Sequence, residues 1–287
     1  MTKFKAFLIL SRPHFLLGGI LMFGLGATTS ENVEWVHYLF AQAMVSSAQI
    51  TAHYVNEYFD VEADRLVTNR TLFSGGSGAL SSRAIAPRVA LLAAVLSSVA
   101  AIGTSAVVAN WSWEAAGLGV IALAISWAYS APPLRLLDTG LGEAATSAVV
   151  AILVPSIGAF ATGGSFSPYL AWATAGLFLV HFAMMLAFEL PDLSTDAAAG
   201  KTVLAVRVGE IHTRRLLAGL LAAPLLTLAV TDLVGDVERG FWLAAGASLV
   251  PAVTMMLSAG LRRYAVLTTS AVATLVCAAG TLLLAAP

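Results

Sequence analysis

Long apolar runs alternate along this chain with short charged stretches, and each run is about as long as a membrane crossing. A transmembrane helix needs about 20 mostly apolar residues to cross the hydrocarbon core. Nine stretches meet that requirement: 13–29, 35–57, 87–109, 115–130, 142–162, 169–190, 214–231, 240–259 and 264–285. The pattern predicts an all-α polytopic membrane protein, a single domain over residues 1–287. Most connections are short. Two longer ones, 60–86 and 192–213, are rich in charged residues.

Composition sharpens this picture. Of 287 residues, 59% are hydrophobic and 11% charged, against about 25% charged in a typical soluble domain. Mean hydropathy is +0.85. These values exclude an ordinary cytosolic enzyme, a disordered chain and a nucleic-acid binder acting through a basic face. The single cysteine, Cys277, permits no intrachain disulfide and no cysteine-based metal site; it reads as a small packing residue. Lys3 and Lys5 before an apolar run look like the start of a secretory signal, but Arg12, Pro13 and His14 interrupt the run. The expectation is a retained first span.

The basic residues orient the bundle. Lys3, Lys5, Arg12, Arg65, Arg70, Arg83, Arg88, Arg135, Lys201, Arg207, Arg214, Arg215, Arg262 and Arg263 fall on one side of the nine-span arrangement, and only Arg239 on the other. The positive-inside rule makes the crowded side cytoplasmic. Glu31, Glu34, Glu114, Asp232, Asp236 and Glu238 then lie outside. An odd number of spans puts the N-terminus in the cytoplasm and the C-terminus outside.

Ionisable residues at membrane depth are expensive and usually functional. Two groups stand at cytoplasmic span ends: Asn56, Asp60 and Asp64 in NEYFDVEAD, and Asp192 and Asp196 in ELPDLSTDAAAGKT, with Glu189 just before. Side chains at i and i+4 share a helix face, so each motif presents a stripe of oxygen ligands. Asp60 and Asp192 are 132 positions apart, as are Asp64 and Asp196, which suggests an internal duplication. Clustered carboxylates repel unless cations neutralise them. All-oxygen donors suit a hard cation such as Mg²⁺, which completes its shell with water and substrate phosphates. Two facing stripes would hold a diphosphate between them.

Cations sit where such a site needs them. Arg65 and Arg70 follow the first motif and Lys201 the second; guanidinium and ammonium groups bind phosphate oxygens. Arg214, Arg215, Arg262 and Arg263 read as topology markers. FSGGSGAL, between Arg70 and Arg83, offers either backbone amides for an anion or a flexible loop. Tyr54, Tyr58, Phe59, Trp127, Tyr129, Phe182 and Phe188 lie near cytoplasmic helix ends, where aromatic faces stabilise a cation, although packing is each one's commoner role. His53 and His181 sit inside spans and read as buried histidines or acceptor-side bases.

Beyond these motifs, SRPHFLL, YSAPPLRL and PDLSTDAAAGKTVLAVRVG complete a resemblance that covers essentially the whole chain. The sequence resembles the UbiA superfamily of intramembrane prenyltransferases. That resemblance implies nine helices around a central cavity with a cytoplasmic cap. It implies transfer of an isoprenoid chain from an allylic polyprenyl diphosphate to an aromatic acceptor. Asp60, Asp64, Asp192 and Asp196 would hold Mg²⁺, supported by Asn56, while Arg65, Arg70 and Lys201 would contact the diphosphate. TNRTLFSGGSG and GLGEAATSAVV look closest to the quinone-forming branch, such as dihydroxynaphthoate prenyltransferases. Many members carry a Lys shortly after the position of Tyr129; here Arg135 is the nearby cation and is expected to substitute for it. Glu189 stands where quinone-type members often carry an amide or other polar residue. These departures keep open the membrane-bound terpene cyclases of the same superfamily, which act on the diphosphate alone. An ion-coupled transporter is the third reading, weakened because the acids cluster at one face instead of at mid-bilayer.

The orientation has a direct test. A cysteine introduced within 66–82 is expected to react only with cytoplasmic label, and one near Asp236 only with external label. The reverse pattern contradicts the charge assignment.

Overall fold

The computed structural model describes residues 2–221, 239–284 and 286. All regular structure among them is helical. In chain order the helices are α1 (Lys3–Ser11), α2 (Leu16–Ala27), α3 (Trp35–Phe59), α4 (Val61–Asp64), α5 (Pro87–Val108), α6 (Trp113–Ser130), α7 (Gly142–Ala148), α8 (Val154–Ala161) and α9 (Pro168–Glu189). After these come α10 (Leu193–Ala198), α11 (Leu204–Val208), α12 (Glu210–Leu221), α13 (Arg239–Gly260) and α14 (Tyr264–Leu284). Local chemistry sets several starts. The Ser112 hydroxyl accepts from the Ala115 N–H and the Ser167 hydroxyl from the Leu170 N–H, while Pro87 and Pro168 open α5 and α9. These are the usual N-cap residues and the one helix position where proline's missing N–H costs nothing.

Among the described residues, six helices are long and apolar enough to cross a membrane: Lys3–Ala27, Pro87–Val108, Gly142–Ala161, Pro168–Glu189, Leu243–Gly260 and Tyr264–Leu284. The first begins ten residues earlier than the sequence pattern suggested and is kinked at Arg12 and Pro13, as the proline requires. Two further expected spans, α3 and α6, are 25 and 18 residues long but are not among the six. α3 carries Gln42, Gln49, His53 and Asn56, which lower its hydropathy. The expected span at 214–231 is described only to residue 221. Asp232, Asp236, Glu238 and the labelling position near Asp236 lie outside the described residues. Cys277 is half-buried within α14.

α5 directs Leu92, Val95, Leu96, Val99 and Ile102 outward, Leu96 at 60% exposure. A continuous apolar face on a helix of this length is what lipid contact requires. Inside the bundle, small residues let backbones meet. A Cβ on Gly26 would lie 1.7 Å from the Pro155 carbonyl oxygen, and one on Gly158 would lie 2.1 Å from that of Phe23. Those two glycines clamp α2 directly onto α8. Between α7 and α8, residues Val149–Leu153 form one wide π turn just ahead of Pro155, whose missing N–H cannot continue the α ladder. This turn sets Val149 and Val150 along a cavity of about 320 Å³ between α2, α3, α6, α8 and α9.

Candidate active site

At one end of this cavity the two acid motifs meet. The helical path of α3 continues past its last residue: the Asp60 N–H donates to the Asn56 carbonyl (2.9 Å) and the Asp64 N–H to that of Asp60 (2.9 Å). In the second motif the Asp196 N–H donates to the Asp192 carbonyl at 2.8 Å. Both stripes therefore form as the i, i+4 spacing requires, and all four aspartates line the cavity while being at most 9% exposed. Gly200, in the left-handed region at φ +75°, turns the chain back after α10. That turn delivers the Lys201 ammonium between the motifs, 3.0 Å from Asp60 Oδ2 and 3.3 Å from Asp196 Oδ1. Asn56 Nδ2 donates to Asp60 Oδ2 at 2.8 Å and to Ser130 Oγ at 3.2 Å.

The loop after the first motif is built around the same carboxylates. Arg70 donates to the carbonyls of Gly75 (2.7 Å) and Asp64 (3.1 Å) and to Ser81 Oγ (3.2 Å). Gly76 has φ +71°, and a Cβ there would lie 1.8 Å from Asp64 Oδ2. Only glycine allows that backbone to close on the carboxylate. Glu57, 1% exposed, accepts from the Ser77 N–H, the Ser77 hydroxyl and Arg12. The second motif has a matching device. Glu189 accepts from the Ala205 N–H at 2.9 Å, beside Glu143, which accepts from the Leu204 N–H at 2.9 Å. Glu57 and Glu189 each stand three residues before the first aspartate of their motif, and each ties down the segment that follows it.

Of the expected substrate contacts, Lys201, Tyr129 and Glu189 line the cavity. Arg65, Arg70 and Arg135 are not brought there. Arg65 pairs with Glu62 at the exposed surface at 2.6 Å, Arg135 pairs with Asp138 at 2.7 Å, and Arg70 braces the glycine-rich loop. Among the seven aromatic candidates, Tyr129 and Phe188 reach the cavity. Tyr54 hydrogen-bonds Ser11, Trp127 donates to Ser98, and Tyr58 and Phe59 pack near them; Phe182 stacks on Phe178. Phe15 and Phe73, not singled out in the sequence, join Phe188 in a three-ring cluster, with Phe73 and Phe188 stacked at 5.9 Å. His53 and His181 both line the deeper, mostly apolar wall.

Burial and mutual repulsion govern the acids. Burial raises Asp64 to about 7, reinforced by Glu57 and Asp60. Burial raises Asp192 to about 7 as well, reinforced by Asp196 and Asp64, and also raises Asp196. Burial alone would lower the Lys201 ammonium, but Asp60 and Asp196 hold it above its ordinary value. Oδ1 of Asp60 and Oδ1 of Asp192 are buried without a hydrogen-bond partner, a costly state for a carboxylate. This donor set fits Mg²⁺: buried carboxylate oxygens with unsatisfied lone pairs. Among the described residues no three acids close into a ready-made cage, which suits an ion that takes one or two carboxylates and draws further ligands from phosphate.

A pH dependence follows. Metal ligation needs ionised carboxylates, and Asp64 and Asp192 release their protons only as pH rises through about 7. Apparent Mg²⁺ affinity should therefore rise between about pH 6 and 8, with proton release on binding. Calorimetry in buffers of different ionisation enthalpy measures both. An affinity flat across that range contradicts the assignment.

The comparisons with known proteins agree with this geometry. The model of the UbiA prenyltransferase family matches residues 17–265. No curated protein matches the sequence. Among solved structures, a UbiA homolog from Archaeoglobus fulgidus bound to GPP and Mg²⁺ superposes with a TM-score of 0.71 at 16% identity, covering 97% of this chain and 99% of that one. The apo structure of a UbiA homolog from Aeropyrum pernix K1 gives 0.71 at 17% identity over 94% and 95%. A structure described for digeranylgeranylglyceryl phosphate synthase gives 0.63 at 15% identity over 100% and 99%. With most of its length matched by the family model and its fold shared with these homologs, the chain belongs to the UbiA prenyltransferase family.

Proposed function

We propose that this protein is a Mg²⁺-dependent prenyltransferase of the cell membrane, moving an isoprenoid chain from an allylic polyprenyl diphosphate to an aromatic, quinone-precursor-like acceptor. The observation that carries this reading is the meeting of two buried acid motifs around Lys201 at one end of a mostly apolar cavity. Asp60, Asp64, Asp192 and Asp196 would hold the metal, with Asn56 orienting Asp60. When bound, the metal supplies positive charge against the diphosphate as it departs. Lys201 donates to diphosphate oxygens. Phe15, Phe73 and Phe188 face the carbon left electron-poor when the C–O bond breaks, and the apolar wall below them takes the chain and excludes water. Tyr129 and Glu189 stand on the acceptor side. In this reading the acid end faces the cytoplasm, as the distribution of basic residues favours. A homolog of the same fold bound to GPP and Mg²⁺ supports the substrate class.

Incubating the purified protein with allylic diphosphates of several lengths, Mg²⁺ and an aromatic acceptor, followed by mass analysis, tests the proposal. The expected product is heavier than the acceptor by the prenyl group. A bare cyclised hydrocarbon would instead assign the cyclase reading, and no diphosphate release would favour transport. Asp60→Ala and Asp192→Ala should each lower turnover by about a hundredfold or more, the scale of losing one stabilising group around a developing anion. Near-normal turnover in either folded variant contradicts the two-motif site.

A further inference from the structure

Only two cationic side chains among the described residues line the cavity, Lys201 and Arg12. Lys201 is already paired with two aspartates. Arg12 enters at the kink between α1 and α2. Its side chain is 12% exposed, and one guanidinium nitrogen, Nη2, donates to Glu57. Arginine carries five N–H donors, and among the described residues no other hydrogen bond from this guanidinium is present. The backbone at Arg12 is strained to put it there. Its φ of 44° and ψ of 55° place a non-glycine residue in the left-handed region, immediately before Pro13, where the proline ring further restricts the preceding residue. A conformation of this kind persists where surrounding structure holds it in place. The surrounding structure is Glu57, whose carboxylate is fixed from the other side by the Ser77 N–H and hydroxyl.

We propose that Arg12 is a binding cation for the diphosphate, aimed into the cavity by Glu57 as its positioning residue. The inference rests on the prenyl diphosphate reading above. When the allylic C–O bond breaks, its electron pair passes to the diphosphate oxygen. The free N–H groups of Arg12 donate to that oxygen and its neighbours from beside the first acid motif, where the guanidinium is close enough to act on Asp64. Glu57 thereby links three things that must coincide: the angle of Arg12, the closed glycine-rich loop and the first acid motif on its own helix. A charge-only role in membrane topology would not require the burial of this guanidinium against Glu57.

Binding of inorganic diphosphate in the presence of Mg²⁺, measured by calorimetry on the purified full chain, tests this without turnover. Arg12→Gln should weaken binding by about tenfold or more, the scale of a lost charge-assisted hydrogen bond. Arg12→Lys should recover only part, because a point charge does not reproduce the fork. Arg88→Gln, on the exposed start of α5, should bind as the wild type does. Glu57→Gln should also weaken binding, and by a smaller factor in the Arg12→Gln background, since it acts partly through that side chain. Wild-type affinity in folded Arg12→Gln overturns the proposal. If that variant does not fold, wild-type affinity in Arg12→Lys overturns it, and full additivity of the double variant removes the role of Glu57. Failure of the unmodified protein to bind magnesium diphosphate would overturn the prenyl diphosphate reading together with this one.

Discussion

Four aspartates from two distant stretches of chain are buried at one end of a membrane bundle, and their mutual repulsion is the constraint that the surrounding structure answers. Like charges in a low-dielectric interior repel strongly, so carboxylates there must be protonated, paired or bound to metal. Lys201 pairs with one aspartate from each motif, Asp60 and Asp196. Asp64 and Asp192, left without an ammonium, hold their protons to about pH 7. Lys201 thus bridges the halves electrostatically. Removing one partner from a buried pair of this kind typically costs about 3–5 kcal/mol. The same repulsion is what makes the site receptive to a divalent cation with a polyanion.

Around that constraint the chain repeats one device. In each motif a glutamate three residues before the first aspartate fastens the following segment: Glu57 holds Ser77, and Glu189 holds Ala205. The first segment carries Gly76 against Asp64, and the second follows directly on Lys201. Each half therefore couples its acids to its own loop. A bundle that keeps α2 and α8 in backbone contact through Gly26 and Gly158 gives these loops a firm base on which to close.

Much of this was legible in the sequence. The acid stripes follow from i, i+4 spacing, and Lys201 from its position after Gly200. Most helices follow from runs of apolar residues, with α3 extended by two residues to reach the motif. Other features were not legible, for identifiable reasons. Arg65 and Arg135 look like phosphate ligands in one dimension, but each has an acid three residues away, Glu62 and Asp138, that captures it. Arg70 is drawn to carbonyls of its own loop. Arg12 reads as a topology charge because nothing local announces that its backbone turns left-handed. Phe15 and Phe73 come from different segments and meet Phe188 only in three dimensions. Glu57 was visible: the E-x-x-D-x-x-x-D pattern occurs in both motifs, and comparing the two copies at the glutamate as well as at the aspartates would have found it.

In the proposed reading neither motif suffices alone, and both grip one metal–diphosphate unit. Replacing Mg²⁺ with Mn²⁺ and following free Mn²⁺ by electron paramagnetic resonance, with and without inorganic diphosphate, measures that requirement. Bound Mn²⁺ should increase on adding diphosphate to the wild type. Asp60→Asn and Asp192→Asn, on opposite halves, should each abolish most of that increase. A full diphosphate-dependent increase in either variant would show that one motif holds the complex by itself, and would contradict a shared two-motif site.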